Sequence, residues 1–400
     1  MNTFKKLYCR IFQKVFKIAI PILPYSNPYI IDSTTKIPDI LIKKNIDIVL
    51  IITDEAVHKL GLIDTLKKTL ENKKIKYSIY DKTQPNPTVN NVEEALKMYI
   101  DNGAKALIGF GGGSSIDCAK AVGARVARPK KSISKMEGII KIRRRIPYLI
   151  AVPTTAGTGS EVTVATVITD SETNHKFPIN DFVLIPNVAV LDSEVTKTLP
   201  PHITSTTGMD ALTHAVEAFI GRSTVKSTRE DALNSVKLIA ENLEKAYSNG
   251  DDLEARENML QASFLAGRAF SKSYVGYCHA IAHSLGGKYK IPHGLANAVI
   301  LPHILEAYGE SVYPKLKKLA LAMDICTNDT PEDKAAQMFI DKVRTMNSDM
   351  NIPSKLSGIK KEDILQLAAY ADKEANPLYP VPVLMDRFEL EKIYYEIMEE

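Results

Sequence analysis

The sequence predicts an α/β domain followed by an all-helical one, and three observations carry the prediction. Before Pro200, apolar runs of strand length alternate with stretches of helical period. After Pro200 and Pro201, helical spacing takes over and strand candidates become few. A chain of 400 residues is also too long for one small core and suits two ordinary domains. The expected division is a basic amphipathic arm over residues 1–30, an α/β domain over 31–200 and a helical domain over 201–400.

Strand-like runs fall at 46–53, 76–80, 104–110, 148–152 and 188–191. Helical stretches such as 88–102 and 115–128 separate several of them, which argues for a mainly parallel sheet covered on both faces. The stretch 162–169 alternates and is rich in Val and Thr, as an added hairpin strand would be. In the second half, Ser227 with Glu230 forms a capping-box signature ahead of Leu233, Val236, Ala240, Leu243 and Tyr247 at helical spacing.

Composition excludes several classes. With 45% hydrophobic and 24% charged residues the chain is that of a soluble globular protein, and a net charge of +4 demands no polyanionic partner. Cys9, Cys118, Cys278 and Cys326 lack the spacing of a disulfide framework or zinc ribbon, so a reducing, cytoplasmic setting is expected. Residues 1–31 contain no acid, while Lys5, Lys6, Arg10, Lys14 and Lys17 interleave with Phe4, Leu7, Ile11, Val15 and Ile18. Lys14 and Lys17 interrupt the apolar run, and Pro21 and Pro24 stop a helix, so neither a secretory signal nor a membrane span fits. The expectation is an arm packed on its own protein, since such stripes usually cover a core. The alternative is an arm resting on an anionic membrane surface. The basic stretch 128–145 reads as a solvated loop, with contact to anionic lipid or substrate as the second reading. It holds no aromatic residue, which speaks against nucleic acid.

Three strand ends point to a dinucleotide. Gly109-Phe110-Gly111-Gly112-Gly113-Ser114-Ser115-Ile116-Asp117 follows an apolar strand and opens a helix, where glycines let backbone N–H groups approach a phosphate. Asp54 closes the strand at 46–53, where a carboxylate can accept from a ribose diol and repel a 2′-phosphate, favouring NAD over NADP. Pro153-Thr154-Thr155-Ala156-Gly157-Thr158-Gly159-Ser160-Glu161 adds a loop of hydroxyls and N–H groups after a third strand.

A metal site is expected in the helical half. Asp210 and His214 lie four apart, one turn along one helix face, and His279, His283 and His293 follow amid Ala, Ile and Leu. Burying so many imidazoles without a shared partner is costly. A carboxylate with several imidazoles suits Fe²⁺ or Zn²⁺, and ligand type alone does not separate the two.

Together these stretches resemble the iron-containing (group III) alcohol dehydrogenase family. Six motifs occur in the family's order: Thr53-Asp54, Pro85-Asn86-Pro87-Thr88, 111–117, 153–161, 208–214 and 278–294. The resemblance implies the dehydroquinate synthase-like fold and a metal-dependent oxidoreductase passing hydride between NAD(H) and a small alcohol or aldehyde. It implies Asp210, His214, His279 and His293 as metal ligands and His283 as a nearby proton relay. It maps cofactor contacts to Asp54, Gly112, Gly113, Ser114, Asp117, Thr154, Thr155, Thr158 and Lys176. A homodimer or larger homo-oligomer is implied as well. The rival readings are a zinc-dependent polyol dehydrogenase, a lyase on the same scaffold, and an inactive membrane-associated scaffold. The chain departs from the family's pattern at Asn376-Pro377-Leu378-Tyr379-Pro380, where many relatives carry Asn-Pro-Arg, and this bears on substrate identity.

Overall fold

A computed structural model of the chain describes residues 1–172 and 175–399. It divides into two compact units, Pro24–Leu199 and a second made of Met1–Leu23 with Pro200–Glu400.

The first unit is built on parallel strands β1 (Tyr29–Ile31), β2 (Ile48–Ile52), β3 (Lys76–Tyr80), β4 (Ala106–Gly111), β6 (Tyr148–Pro153) and β9 (Val188–Val190). They lie in the order β1-β9-β6-β4-β2-β3, with Val49 opposite Ala106 and Ile108 opposite Ile150. Successive side chains of a strand face opposite ways, and both faces here are buried. Leu50, Ile52, Leu107 and Leu149 pack with Val92, Leu96 and Val122 on one face. Val49, Ile51, Ile108 and Ile150 pack with Ile37, Leu41 and Leu66 on the other. The chain runs outward from β2 to β3, then returns to β4 and continues the other way. The carboxyl ends of β2 and β4 therefore flank a topological switch point, the usual nucleotide crevice of such sheets.

A smaller sheet joins β5 (Gly138–Ile139), β8 (Lys176–Asn180) and β7 (Ala165–Thr169). The expected hairpin strand pairs antiparallel with β8, but it starts at Ala165 because residues 160–164 belong to the loop before it. The basic stretch is not merely solvated. Ile133, Met136 and Ile142 anchor it in the core, and Asp181 accepts from the N–H groups of Ile142 and Arg143 at 2.9 and 3.0 Å. Its lysines and arginines at 130, 135, 141 and 143–145 remain outside.

The second unit is helical. The helix Pro201–Ile220 is buried over nearly its whole length, as its Ala-, Val- and Ile-rich circumference requires. It packs against Lys226–Ser248, Leu253–Ser273 and His293–Tyr308. The helix Lys226–Ser248 starts one residue before Ser227, with Val225 at its cap and no side-chain cap bond. The Ser227/Glu230 signature is thus an interior pair rather than a capping box.

The N-terminal helix Thr3–Ala19 packs on this unit with its polar side inward. Arg10 donates to the carbonyls of Val381 and Pro382, each at 2.7 Å, and the Gln13 amide donates to that of Tyr379 at 2.8 Å. The expected apolar stripe does not cover a core, because loop carbonyls at 379–382 take the polar side instead.

Candidate active site

At the switch point the strand ends meet. Asp54 caps the helix Glu55–Lys59 by accepting from the N–H of Val57 at 3.0 Å, and its other oxygen accepts from Ser115 Oγ at 3.3 Å. Gly112 precedes the helix Gly113–Ala127 without any side-chain cap, so the first N–H groups of that helix keep their capacity for an anion. A Cβ on Gly113 would lie 2.8 Å from Thr158 Oγ1, and one on Gly112 would lie 3.6 Å from Thr155 Oγ1. At Gly113 a side chain would force Thr158 to shift, whereas at Gly112 it would meet Thr155 in ordinary contact. Thr154 is buried, its N–H donating to the Gly111 carbonyl at 3.0 Å.

Lys176 donates to Asn86 Oδ1 at 2.8 Å, and the Asn86 N–H donates to Ser114 Oγ at 3.3 Å. Asn86, not among the expected contacts, thereby links two that were. One oxygen of Asp117 accepts from Ser160 Oγ at 3.1 Å and the other from the Val167 N–H at 2.9 Å. Its carboxylate fastens the 153–161 loop and β7.

In the helical unit, Asp210, His279 and His293 come together, their candidate ligand atoms all within 4.8 Å of one another. His279 Nε2 lies 3.8 Å and His293 Nε2 3.5 Å from Asp210 Oδ1. His214 borders this group, its Nδ1 4.0 Å from Asp210 Oδ2 and its ring stacked on Phe270 at 4.1 Å. Each helix brings its residue for a local reason. Asp210, His214 and Glu217 recur at helical spacing on Pro201–Ile220. His279 and His283 stand one turn apart on Tyr277–Tyr289, and His293 opens the helix His293–Tyr308 behind Pro292. Gly294 makes that entry possible, since a Cβ there would sit 2.3 Å from the Thr206 carbonyl oxygen.

Glu217 was not foreseen. One oxygen meets His279 Nδ1 at 2.6 Å and the Gly276 N–H at 2.7 Å, and the other accepts from the Cys278 N–H at 2.8 Å. Burial pushes this carboxyl up to about 8, while the backbone N–H groups pull it down. Nδ1 of His279 thus faces an acceptor, leaving Nε2 as the lone-pair end of the ring. That nitrogen is buried and has no hydrogen-bond partner. Burial, with the neighbouring imidazoles of His214, His293 and His283, holds the His279 pKa well below its ordinary value. A neutral imidazole with its lone pair aimed at a carboxylate is the form a cation needs. The Asn297 amide donates to Asp210 Oδ1 at 2.7 Å and lies 3.1 Å from His293 Nε2. Asp210 and His279 are almost sealed, whereas the side chains of His293 and His283 are each 31% exposed and form the open side. His283 Nδ1 meets Glu374 Oε1 at 2.6 Å, and that oxygen also accepts from the Tyr379 hydroxyl at 2.7 Å.

Comparison with known proteins adds to this geometry. The family described as Iron-containing alcohol dehydrogenase matches residues 29–193, and the Fe-containing alcohol dehydrogenase family, C-terminal, matches 204–398. Alcohol dehydrogenase 4 of Saccharomyces cerevisiae (strain S288c) is 40% identical over 328 residues, 82% of this chain and 85% of that one. The NAD-dependent methanol dehydrogenase of Bacillus methanolicus is 36% identical over 80% of this chain and 85% of its own. A crystal structure of a 1,3-propanediol oxidoreductase superposes with a TM-score of 0.90 at 33% identity, covering 94% of this chain and 99% of that one.

Proposed function

The chain belongs to the iron-containing alcohol dehydrogenase family and is an NAD-dependent oxidoreductase of small alcohols; from that premise we propose that it holds Fe²⁺ on Asp210, His214, His279 and His293. The observation that carries the ligand set is the buried, unpartnered Nε2 of His279, fixed by Glu217 and facing Asp210. A divalent cation there supplies Lewis-acid polarisation of the alcohol or aldehyde oxygen.

The chain's own residues do the rest. Asp54 and the uncapped helix start at Gly113 orient NAD, the carboxylate favouring a ribose diol over a 2′-phosphate. Thr155, Thr158 and Lys176 line the same loops and complete the cofactor cradle. His283, steadied by Glu374 through Nδ1, presents Nε2 to take the alcohol proton or return it to the product of reduction. A nicotinamide held by these residues would supply the hydride transfer, the cofactor's own chemistry.

Anaerobic purification with metal analysis, followed by an alcohol and aldehyde panel read by nicotinamide absorbance with NAD(H) and NADP(H), tests the proposal. Stoichiometric iron with NAD-linked turnover is expected. Zinc at full occupancy with equal activity overturns the iron assignment, and NADP preference overturns the role given to Asp54. A homo-oligomer is proposed from the open edge of β1, where Tyr29 and Ile30 are exposed, with light scattering as the measurement. A reducing, cytoplasmic setting is supported by four unpaired cysteines.

A further inference from the structure

The N-terminal helix Thr3–Ala19 lies outside the stretch, 29–193, at which the family match begins. It is built inside out for a surface helix. Cys9 and Gln13 are its buried residues, and Arg10 and Gln13 bind it to the carbonyls of 379–382. The Gln13 carbonyl also accepts from Ser223 Oγ at 2.9 Å, and Phe16 packs on Tyr274 with ring centres 5.0 Å apart. The helix is therefore firmly placed. Its opposite side carries Phe4, Leu7, Tyr8, Ile11, Val15 and Ile18, at positions that fall on one helix face and all more than half exposed. Six large apolar groups along one exposed face form a contiguous patch, which marks a contact surface rather than ordinary scatter.

The cations around that stripe select what it contacts. Lys14 is exposed beside it, and no acid occurs in residues 1–31. Lys17 reaches a recess of about 410 Å³ that it lines with Arg222, Arg229 and Lys315. Among the described residues none of these four pairs with a carboxylate. Lys315 instead donates to the carbonyls of Ile220 and Gly221 at 2.5 and 3.0 Å. Burial, then repulsion from Arg222, Lys17 and Arg229, lowers its pKa to about 8. Four converging cations without a counter-charge are complementary to phosphate. A second copy of this chain set symmetrically on the stripe would bring Lys14 and Lys17 toward their own counterparts, with no acid in the segment to relieve them. Among the described residues no helix is long and apolar enough to cross a membrane. A helix with a large apolar face and basic flanks lies in the plane of an interface instead.

We propose that this face docks on an anionic membrane surface, with the apolar stripe entering the headgroup boundary and the Lys17/Arg222/Arg229/Lys315 recess receiving a phosphate-bearing headgroup. Two signals then act together, apolar insertion and charge. Neither alone gives stable attachment.

Flotation of the full chain with vesicles of phosphatidylcholine, or of phosphatidylcholine with phosphatidylglycerol, tests this. Binding is expected only to the anionic vesicles and is expected to weaken steeply with salt. Arg222→Gln with Arg229→Gln removes two charges and lowers partitioning by about 25-fold, roughly fivefold for each. Ile11→Glu with Val15→Glu abolishes it, since the stripe no longer enters the interface. All four side chains lie away from the candidate active site, so unchanged alcohol turnover and circular dichroism certify the fold of each variant. No flotation with anionic vesicles overturns the proposal, as does equal flotation with neutral ones. So does loss of oligomer size in the stripe variant without any vesicle binding, which would make the stripe an interface between copies. Inorganic phosphate protecting the recess while vesicles do not bind would reduce it to a free-anion site and overturn docking.

Discussion

Replacing Glu217 by Gln changes one atom and disturbs three hydrogen bonds. In the wild-type chain His279 Nδ1 and the Gly276 N–H converge on one oxygen and the Cys278 N–H on the other. A glutamine that keeps its oxygen toward His279 turns its amide hydrogens against the Cys278 N–H. That leaves a buried donor facing donors, at a cost of about 1–3 kcal/mol. Where a bound cation keeps Glu217 ionised, the bond to His279 is charge-assisted, and an amide in its place would give up roughly half that strength. Loss of such an orienting partner weakens cation affinity by about 10–100-fold. Competition with a chromophoric chelator under anaerobic conditions measures this directly, and thermal melting of the metal-free protein reports the packing cost separately. Gly276→Ala attacks the same contact from outside, because its Cβ would lie 2.6 Å from Glu217 Oε1. The two substitutions should therefore combine less than additively. Cation affinity within twofold of wild type in Glu217→Gln, alongside a lowered melting temperature, would refute the reasoning and leave Glu217 as a helix cap only.

Three more outcomes follow from the geometry. Asp54→Ser keeps a capping oxygen for Val57 but removes the charge, so the NADP-to-NAD ratio of kcat/KM should rise by about tenfold or more in steady-state assays. His283→Gln should lower kcat/KM by about 10²-fold with cation affinity unchanged, while Glu374→Gln gives a smaller loss in the same direction. Glu161 is buried with Oε1 unpartnered, and burial raises its pKa from 4.5 to about 7, with Lys120 nearby pulling it down. The folded chain then holds a proton that the unfolded chain has released, so this stabilising term is complete below pH 4.5 and is lost as pH rises through 7. Melting of the metal-free protein at a series of pH values should show that decline, of order 3 kcal/mol, in wild type and not in Glu161→Gln. Parallel curves for the two proteins would contradict it.

The parallel sheet was legible because its strands are apolar on both faces and end in Gly, Asp or Pro, a pattern few other structures produce. The gathering of Asp210, His214, His279, His283 and His293 was legible because the chemistry of burying imidazoles limits what such a run can mean. Glu217 and Asn297 could have been found by continuing the same faces. Each stands at helical spacing from a singled-out residue, and Glu217 is an acid among Ala, Val and Phe. Glu374 could not, since it meets His283 across 91 positions and no local pattern encodes that contact. The intramolecular partners of Asp117 were not legible, because motif position tells nothing of where a carboxylate points, and Ser160 and Val167 each donate to one of its oxygens. The usual direction of amphipathic helices points the N-terminal stripe at a core. Only the carbonyls of 379–382 reveal that its polar side is the one with partners.

Asp210 sits on a helix that is a neighbour in space of the two carrying His279 and His293 but far from them along the chain. An ion shared among them would be a reversible cross-link, closing a loop that an unfolded chain leaves open. Its supply then governs how long the protein lasts as well as how fast it works. At a free cation concentration one hundred times Kd the helical unit gains about 2.7 kcal/mol, and withdrawal of the ion returns that gain. Cells short of the metal would hold a shorter-lived pool of this enzyme, trimmed to the ion available to run it.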